Sequence, residues 1–92
     1  MNDVFRALSD PTRREILELL RSGPRTSGEI AEKFTTSWAT ISRHLSVLKD
    51  AELILVERNG QHMVYELNTT VFQEVVENLI KWLGPRPRRK NA

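Results

Sequence analysis

The stretch TTSWATISRHLSVLKDAELI, residues 35–54, joins a hydroxyl-rich break to a regular apolar pattern. Ile41, Leu45 and Leu48 recur at intervals of four and three residues, which places them within about 60° of one another on a helix. The residues on the opposite side are polar or small: Ala39, Arg43, Ser46 and Asp50. The pattern predicts a helix with one narrow buried seam and an exposed polar face.

Two further helices are predicted at the beginning of the chain. Apolar residues at helical spacing predict the first over residues 2–8. Asp10 is predicted as the N-cap of the second helix, with Pro11 at its first position, where the missing N–H costs nothing. Gly23-Pro24 is expected to end this helix, since glycine adopts the left-handed conformation and proline forbids continuation.

A third helix is predicted over residues 27–34. Thr26 and Glu29 have the S/T-x-x-E spacing of a capping box, which marks the beginning of a helix. Residues 35–37 then form a short break before the helix with the narrow seam. Two helices joined by a turn of about three residues, the second with a polar outer face, form the helix-turn-helix arrangement.

From residue 54 the apolar pattern changes to a period of two, which predicts strands. Residues 54–58 and 63–67 alternate in this way, and Asn59-Gly60 lies between them. Asn-Gly between two such runs predicts a β-hairpin with a type I′ turn, because both central positions of that turn need a positive φ. A wing is therefore expected directly after the helix-turn-helix.

The last predicted element is a helix that ends at Gly84-Pro85. Thr70 and Gln73 repeat the capping-box spacing at its beginning. Its apolar stripe is wide: Phe72, Val75, Val76, Leu79, Ile80 and Leu83. The expected fold class is therefore mainly α with a small β-hairpin, in the order α-α-α-α-β-β-α, over residues 1–85.

Composition narrows the class of protein. A chain of 92 residues forms one small domain, and so small a domain has too little material to bury every apolar stripe. The absence of cysteine excludes disulfides and thiolate zinc sites and favours the cytoplasm. No apolar window is long enough for membrane insertion. Four basic residues lie within 86–92, so the net charge of +2 becomes −2 for residues 1–85. We expect residues 86–92 to be a basic, flexible tail.

Three segments in the same order resemble the ArsR-type winged-helix repressors of bacteria. They are SDPTRREILELL, residues 9–20, TISRHLSVLKDAELI, residues 40–54, and ERNGQHMVYELN, residues 57–68. The ending LNTTVFQEVVENLIKWL, residues 67–83, looks most like the small autorepressor branch of that family. The resemblance implies a homodimer held by the first and last helices, with two recognition helices in successive major grooves of a palindromic operator.

The apolar stripes of the first and last helices are predicted to form this two-fold interface. Ordinary core packing within one chain is the alternative. The predicted interface residues are Val4, Phe5, Leu8, Phe72, Val75, Val76, Leu79, Ile80 and Leu83.

Metal sensing is not expected. In many members of the family, the third helix begins with a cysteine-rich motif, and its positions fall here on Thr26, Gly28 and Ala31. None of these side chains is a ligand for a soft metal. Other members bind zinc or nickel between their last helices, where this chain offers only Glu74 and Glu77 and no histidine. We therefore expect no metal site and no cofactor.

The first half of the predicted recognition helix supplies candidate DNA contacts. Arg43 can donate two hydrogen bonds to the O6 and N7 edge of guanine, or one to phosphate; a solvated arginine is the alternative. Ser42 matches the position that usually faces the groove in the family, and Thr40 is its neighbour. Thr36 and Ser37 are predicted as N-caps and equally as docking groups for a phosphate.

Trp38, His44 and the wing residues each have two possible roles. Trp38 lies either against the DNA backbone or a thymine methyl group, or back over the turn. His44 is either a structural histidine or a phosphate contact. Wing residues contact the minor groove or flanking phosphates, or form a plain polar turn. The complete predicted DNA-binding set is Thr36, Ser37, Trp38, Ala39, Thr40, Ser42, Arg43, His44, Arg58, Gln61 and His62.

The predicted function is sequence-specific repression of transcription by a homodimer on double-stranded operator DNA. A winged-helix protein-interaction module is the alternative. Nothing in the spacing of histidines, nucleophiles or glycines predicts an enzyme. Because no ligand site is evident, we expect release by a sequestering protein partner, at the membrane for example, or control of the protein's own gene.

Overall fold

The computed structural model describes residues 1–85, and the predicted tail at residues 86–92 lies outside the described residues. The mainly helical class and the winged helix-turn-helix order are confirmed. The elements are α1 (Asn2–Leu8), α2 (Pro11–Leu20), β1 (Arg25–Thr26), α3 (Ser27–Glu32), α4 (Trp38–Asp50), β2 (Ile54–Asn59), β3 (His62–Leu67) and α5 (Thr69–Leu83).

The β-sheet has one strand more than the sequence predicts. Strand β1 pairs antiparallel with β3, with Arg25 opposite Tyr65, and the strand order is β1-β3-β2. A strand of two residues is too short to show alternation, so only its partner reveals it. It ties the beginning of α3 to the wing.

The turn of the hairpin lies one residue later than predicted. Asn59 pairs with His62, so the two connecting residues are Gly60 and Gln61. Gly60 has a φ of +63°, whereas Asn59 and Gln61 do not have positive φ. The predicted type I′ turn is therefore wrong. A type II′ turn needs a positive φ only at its first central position, and Gly60 occupies that position here.

The caps of α2 and α3 are confirmed. The Asp10 carboxylate accepts hydrogen bonds from the amides of Thr12 at 2.8 Å and Arg13 at 3.1 Å. The amide of Glu29 donates to the Thr26 hydroxyl at 3.2 Å, and the Thr26 amide donates to the Glu29 carboxylate at 2.9 Å. The bond from the Thr26 amide is the main reason that the pKa of Glu29 lies below its ordinary value.

Two helix boundaries differ from the predictions. Helix α3 ends at Glu32 because the amides of Lys33 and Phe34 donate to carbonyls three residues back, which tightens the last turn. Helix α5 begins at Thr69, one residue before the predicted cap. Its N-cap is Asn68, whose amide donates to the Leu53 carbonyl at 3.0 Å. This bond continues the pairing of β3 with β2 by one residue, so the helix begins directly where the pairing ends.

The hydrophobic core lies between the helices and the inner side of the sheet. Ile41 and Leu48 of α4 are fully buried and Leu45 is nearly so, as the seam predicts. Val4 and Val75 also lie in this core. These two predicted interface residues are therefore packed within the chain, because they lie on the inner sides of α1 and α5.

Helix α4 ends in a tight reversal that leads straight into the wing. The amide of Leu53 donates to the Leu48 carbonyl at 3.0 Å, and the amide of Glu52 donates to the Lys49 carbonyl at 2.9 Å. This pair of bonds is the Schellman motif, and Glu52 takes its left-handed position with a φ of +62°. Leu53 is fully buried, and β2 begins at the next residue.

The Asp10 cap predicts a pH-dependent contribution to stability. Partial burial acts to raise the pKa of Asp10, but the amide hydrogen bonds from Arg13 and Thr12 and nearby positive charge outweigh it, so the pKa lies below 3.8. The stabilisation is therefore present above pH 3.8 and is lost as the pH falls through the lower folded pKa. Asp10→Ala should lower the free energy of unfolding by about 1 kcal/mol at neutral pH.

Urea denaturation at neutral pH and at a pH below the folded pKa measures both effects. The deficit of Asp10→Ala should shrink at the lower pH. Asp10→Asn is the matched control, because its amide oxygen still caps the helix without charge, and it should lose less. An equal Asp10→Ala deficit at both pH values would contradict the role of the ionised cap.

Candidate nucleic-acid interface

The outer face of α4 is exposed because the core takes up the opposite side. Ala39, Arg43 and Ser46 are exposed, whereas Ser42 lies at the edge of the buried seam and is half-buried. The helix of 13 residues therefore presents a polar strip to solvent, with an arginine near its middle. This exposure was expected from the sequence, and contact with DNA remains a prediction.

The hydroxyl groups at the beginning of α4 have different roles. Ser37 is the N-cap, and its hydroxyl accepts from the Thr40 amide at 3.3 Å. The Ser37 and Thr40 hydroxyls also share a hydrogen bond of 3.0 Å. Thr36 is exposed and does not cap the helix. Within residues 1–85, the structure gives no hydrogen bond from the amides of Trp38 and Ala39, and free amides at a helix N-terminus favour an anion.

Trp38 is the first residue of α4 and is 49% exposed. It is not part of the buried core. Half of its surface is therefore open beside the polar strip, where an aromatic ring can contact a sugar or a thymine methyl group. The two roles predicted for Trp38 remain open.

His44 has a structural partner. Its Nδ1 atom lies 3.2 Å from Nη1 of Arg13, which belongs to α2. The ring is half-buried between the seam and the exposed strip. His44 thus has the structural contact that one of its two predicted roles requires, and its contact with phosphate remains a prediction.

The wing tip carries exposed polar side chains. Arg58, Gln61 and His62 all lie in the last residues of β2, the turn and the first residue of β3. Within residues 1–85, the ion pair that the structure shows joins Arg21 to Glu18 at 2.7 Å, and it involves neither Arg58 nor Arg43. Both guanidinium groups are thus available to an anionic partner.

The positions that the family resemblance assigns to a metal motif hold other groups. The Thr26 hydroxyl accepts from the Glu29 amide in the capping box, and Gly28 and Ala31 have no ligand atom in their side chains. Glu74 and Glu77 are exposed on α5. Among residues 1–85, no three His, Asp or Glu side chains are grouped closely enough to hold a metal ion.

Helix α5 leaves an apolar stripe exposed. Ile80 is 62% exposed and Leu83 is 85% exposed, and Val76 and Leu79 lie on the same side. Phe72 and Leu8 are half-buried, and Phe5 is 37% exposed. Seven of the nine predicted interface residues therefore lie at least partly on the surface. No helix within residues 1–85 is long and apolar enough to cross a membrane.

Two residues at these surfaces were not predicted from the sequence. Trp82 packs on Phe5, with ring centroids 6.2 Å apart, and joins the end of α5 to α1. Around the helix, Trp82 lies about 80° from Phe72 but only about 20° from Val75, which belongs to the predicted apolar stripe. This closeness to Val75 was the sequence signal that could have revealed its packing. Arg13 is the other. Its partner His44 is 31 residues away, so no local pattern could reveal the contact.

The sequence and the fold match known regulatory proteins. Residues 10–55 match the arsR family of bacterial regulatory proteins. The chain is 51% identical over 84 residues to the transcriptional repressor SdpR of Bacillus subtilis strain 168, which covers 91% of this chain and 93% of that protein. It is 35% identical over 79 residues to the arsenical resistance operon repressor of Staphylococcus xylosus, which covers 86% of this chain and 76% of that protein.

A solved structure shows the same architecture. An ArsR-like transcriptional regulator from Rhodococcus sp. RHA1 matches with a TM-score of 0.80 at 28% identity, over 87% of this chain and 76% of that chain. The family match spans the Asp10 cap, the helix-turn-helix and the beginning of the wing. The predicted resemblance to the ArsR-type repressors is confirmed. The chain belongs to the ArsR family of bacterial regulatory proteins.

Proposed function

We propose that this protein is a transcriptional repressor that binds a palindromic operator as a homodimer. The observation that carries the proposal is the exposed strip of α4, with Arg43 at its centre, on a helix whose other side is locked into the core. Membership of a family of DNA-binding regulators, rather than enzymes, supports it. Such a repressor acts in the cytoplasm, where bacterial DNA lies.

The proposed mechanism divides contacts between two elements. Helix α4 enters the major groove, where Arg43 donates two hydrogen bonds to O6 and N7 of a guanine. Arg58 and the wing tip contact the minor groove or flanking phosphates, which position the protein without specifying sequence. Two copies present two recognition helices about 34 Å apart, one turn of DNA, and the bound dimer blocks access of RNA polymerase.

A protein-docking role is the weaker alternative. A docking surface does not require an arginine and hydroxyl groups along one outer helix face. SdpR, whose name is that of a transcriptional repressor, is similar over nearly its whole length. Both the family and the exposed strip therefore favour DNA as the partner of α4.

The releasing signal is proposed not to be a metal. Thr26 serves in a cap, and Gly28 and Ala31 offer no ligand atom. We propose instead that the protein controls its own gene, and that a sequestering protein partner relieves repression. The ending at residues 67–83, which resembles the small autorepressor branch of the family, supports this proposal.

Fluorescence anisotropy tests the proposal with DNA from upstream of the protein's own gene and a scrambled duplex. We expect tight, strongly salt-dependent binding to the upstream DNA, weak binding to the scrambled duplex, and no change when zinc replaces chelator. Equal weak binding to both duplexes would refute operator recognition at that site. A large effect of zinc would refute the proposed independence from metals.

The division of labour between α4 and the wing predicts two different losses. Arg43→Ala should cost about 1–3 kcal/mol on the operator and relax sequence preference, because a bidentate base contact is lost. Arg58→Ala should weaken binding to both duplexes alike and lower the salt slope by about 1. Both are measured by anisotropy across a salt series.

Lys49→Ala is the matched control for these variants. It removes one positive charge from the same helix, in the last turn, about 9 Å along the axis and about 120° around it from Arg43. Its operator affinity should stay close to that of the wild type. An Arg43→Ala loss of equal size on operator and scrambled DNA would contradict the division, and so would an Arg58→Ala loss confined to the operator.

The proposed dimer predicts the effect of a charge in the apolar stripe of α5. Val76 is 50% exposed, so Val76→Glu should leave the helical circular dichroism unchanged yet produce a monomer in sedimentation. Operator affinity should fall by about 100-fold, because the second half-site no longer binds as part of the same molecule. Thr70→Glu adds the same charge on the polar side of α5 and should remain dimeric. A dimeric Val76→Glu variant would contradict this interface.

A further inference from the structure

Arg13 joins three helices through one guanidinium group. Its Nε donates to the Ala7 carbonyl at 2.7 Å and its Nη2 donates to the Arg6 carbonyl at 3.0 Å, both at the end of α1. Its Nη1 lies 3.2 Å from Nδ1 of His44 in α4. Arg13 itself belongs to α2, where its amide also donates to the Asp10 cap.

This geometry fixes relative orientation as well as proximity. The guanidinium is planar, so its donors leave it in fixed directions, and three of them are directed to groups on two other helices. The last carbonyls of a helix have no partner inside it, and Arg13 donates to that of Ala7. The Arg6 carbonyl accepts from Arg13 and also from the amide and the hydroxyl of Ser9. Rotation of α4 relative to α1 would therefore break the bond to His44.

His44 lies next to the residue proposed to bind guanine. It neighbours Arg43 on α4, so the orientation of α4 that holds the histidine also sets the direction of the arginine. Binding geometry of this kind tolerates only about 0.5 Å of error. A small rotation of α4 would thus weaken base recognition while leaving general attraction to phosphate intact.

We propose that Arg13 is a positioning residue that fixes the recognition helix against α1 through His44, and so couples the proposed dimer-forming helix to base recognition. The inference rests on the proposed function of α4. For Nη1 to donate, Nδ1 of His44 must be the acceptor, so the ring carries its proton on Nε2. That proton location is a property of the contact and does not depend on DNA.

Arg14 provides a matched control on the same helix. It is exposed, and its Nη1 donates to the Leu8 carbonyl at 2.7 Å, so it also binds the end of α1. It has no hydrogen bond to α4 within residues 1–85. Arg14→Ala therefore removes the same charge and a similar bond without removing the link to His44.

A double-mutant cycle on operator and scrambled DNA tests the proposal. The variants are Arg13→Ala, His44→Ala and the combination of the two, with Arg14→Ala as the control. Arg13→Ala should lower operator affinity about tenfold and change scrambled-DNA affinity by less than twofold. In the His44→Ala background, the same substitution should cost at least threefold less, as expected for residues in contact.

His44→Gln tests rescue. Its amide oxygen can accept from Arg13, so it should retain more operator affinity than His44→Ala. Long-range ¹H–¹⁵N NMR of the folded wild type should place the His44 proton on Nε2, and urea denaturation identifies any variant that is simply unfolded. If Arg13→Ala itself fails to fold, the two His44 variants and the NMR signal still decide the outcome.

Several results would overturn the proposal. One is an Arg13→Ala loss of equal size in both backgrounds, another is an equal loss for Arg14→Ala, and a third is a His44 proton on Nδ1. A wild-type protein that binds operator and scrambled DNA equally would instead refute the proposed function, and the NMR signal would then still test the contact itself.

Discussion

The apolar seam of α4 is the constraint on which the rest of the structure depends. Ile41, Leu45 and Leu48 are narrowly grouped and almost completely buried, so the core decides which side of the helix faces inward. Burying them at roughly 1.5–3 kcal/mol per side chain outweighs any single surface interaction nearby. The core therefore places Arg43 on the outer side of α4, and the finer angle of the helix is left to contacts such as that between Arg13 and His44. A side chain that recognises a base is exposed, so packing does not hold the side chain itself. Its position depends on the helix that carries it, which the buried seam holds in place.

What the sequence predicted correctly was local in origin. The seam, the Asp10 cap and the Thr26–Glu29 capping box all arise within one helical turn or from one periodicity, and the structure shows each of them. Helix ends were less accurate, because the boundary of α5 depends on the bond between Asn68 and Leu53, which belongs to the sheet. Propensity at the boundary could not anticipate a tertiary hydrogen bond.

The residues that were missed all depend on distant partners. Strand β1 exists only through β3, and Arg13 is tied to a histidine on another helix. Trp82 lies at the edge of the apolar stripe, beside Val75, and its contact with Phe5 joins opposite ends of the described chain. The candidate DNA strip was thus accessible to sequence reasoning, because it is one face of one helix. The contacts that hold it against α1 were not.

Charge and apolar exposure are divided between different surfaces. Residues 1–85 carry a net charge of −2, so the body as a whole does not attract DNA. The proposed DNA binding therefore depends on local groups such as Arg43 and Arg58. The most exposed of the large apolar residues, by contrast, are Ile80, Trp82 and Leu83, towards the end of α5. A surface for DNA and a surface for a second copy therefore need not compete for the same residues.

The reversal after α4 fixes the distance between the recognition helix and the wing. Because Leu53 is buried and its amide is bonded to the Leu48 carbonyl, the wing leaves the recognition helix without a flexible linker. The span between a base held by α4 and a phosphate held by the wing tip cannot stretch unless the helix end itself opens. If α4 and the wing bind DNA as proposed, each protomer fixes the length of its half-site independently of the bases that α4 selects.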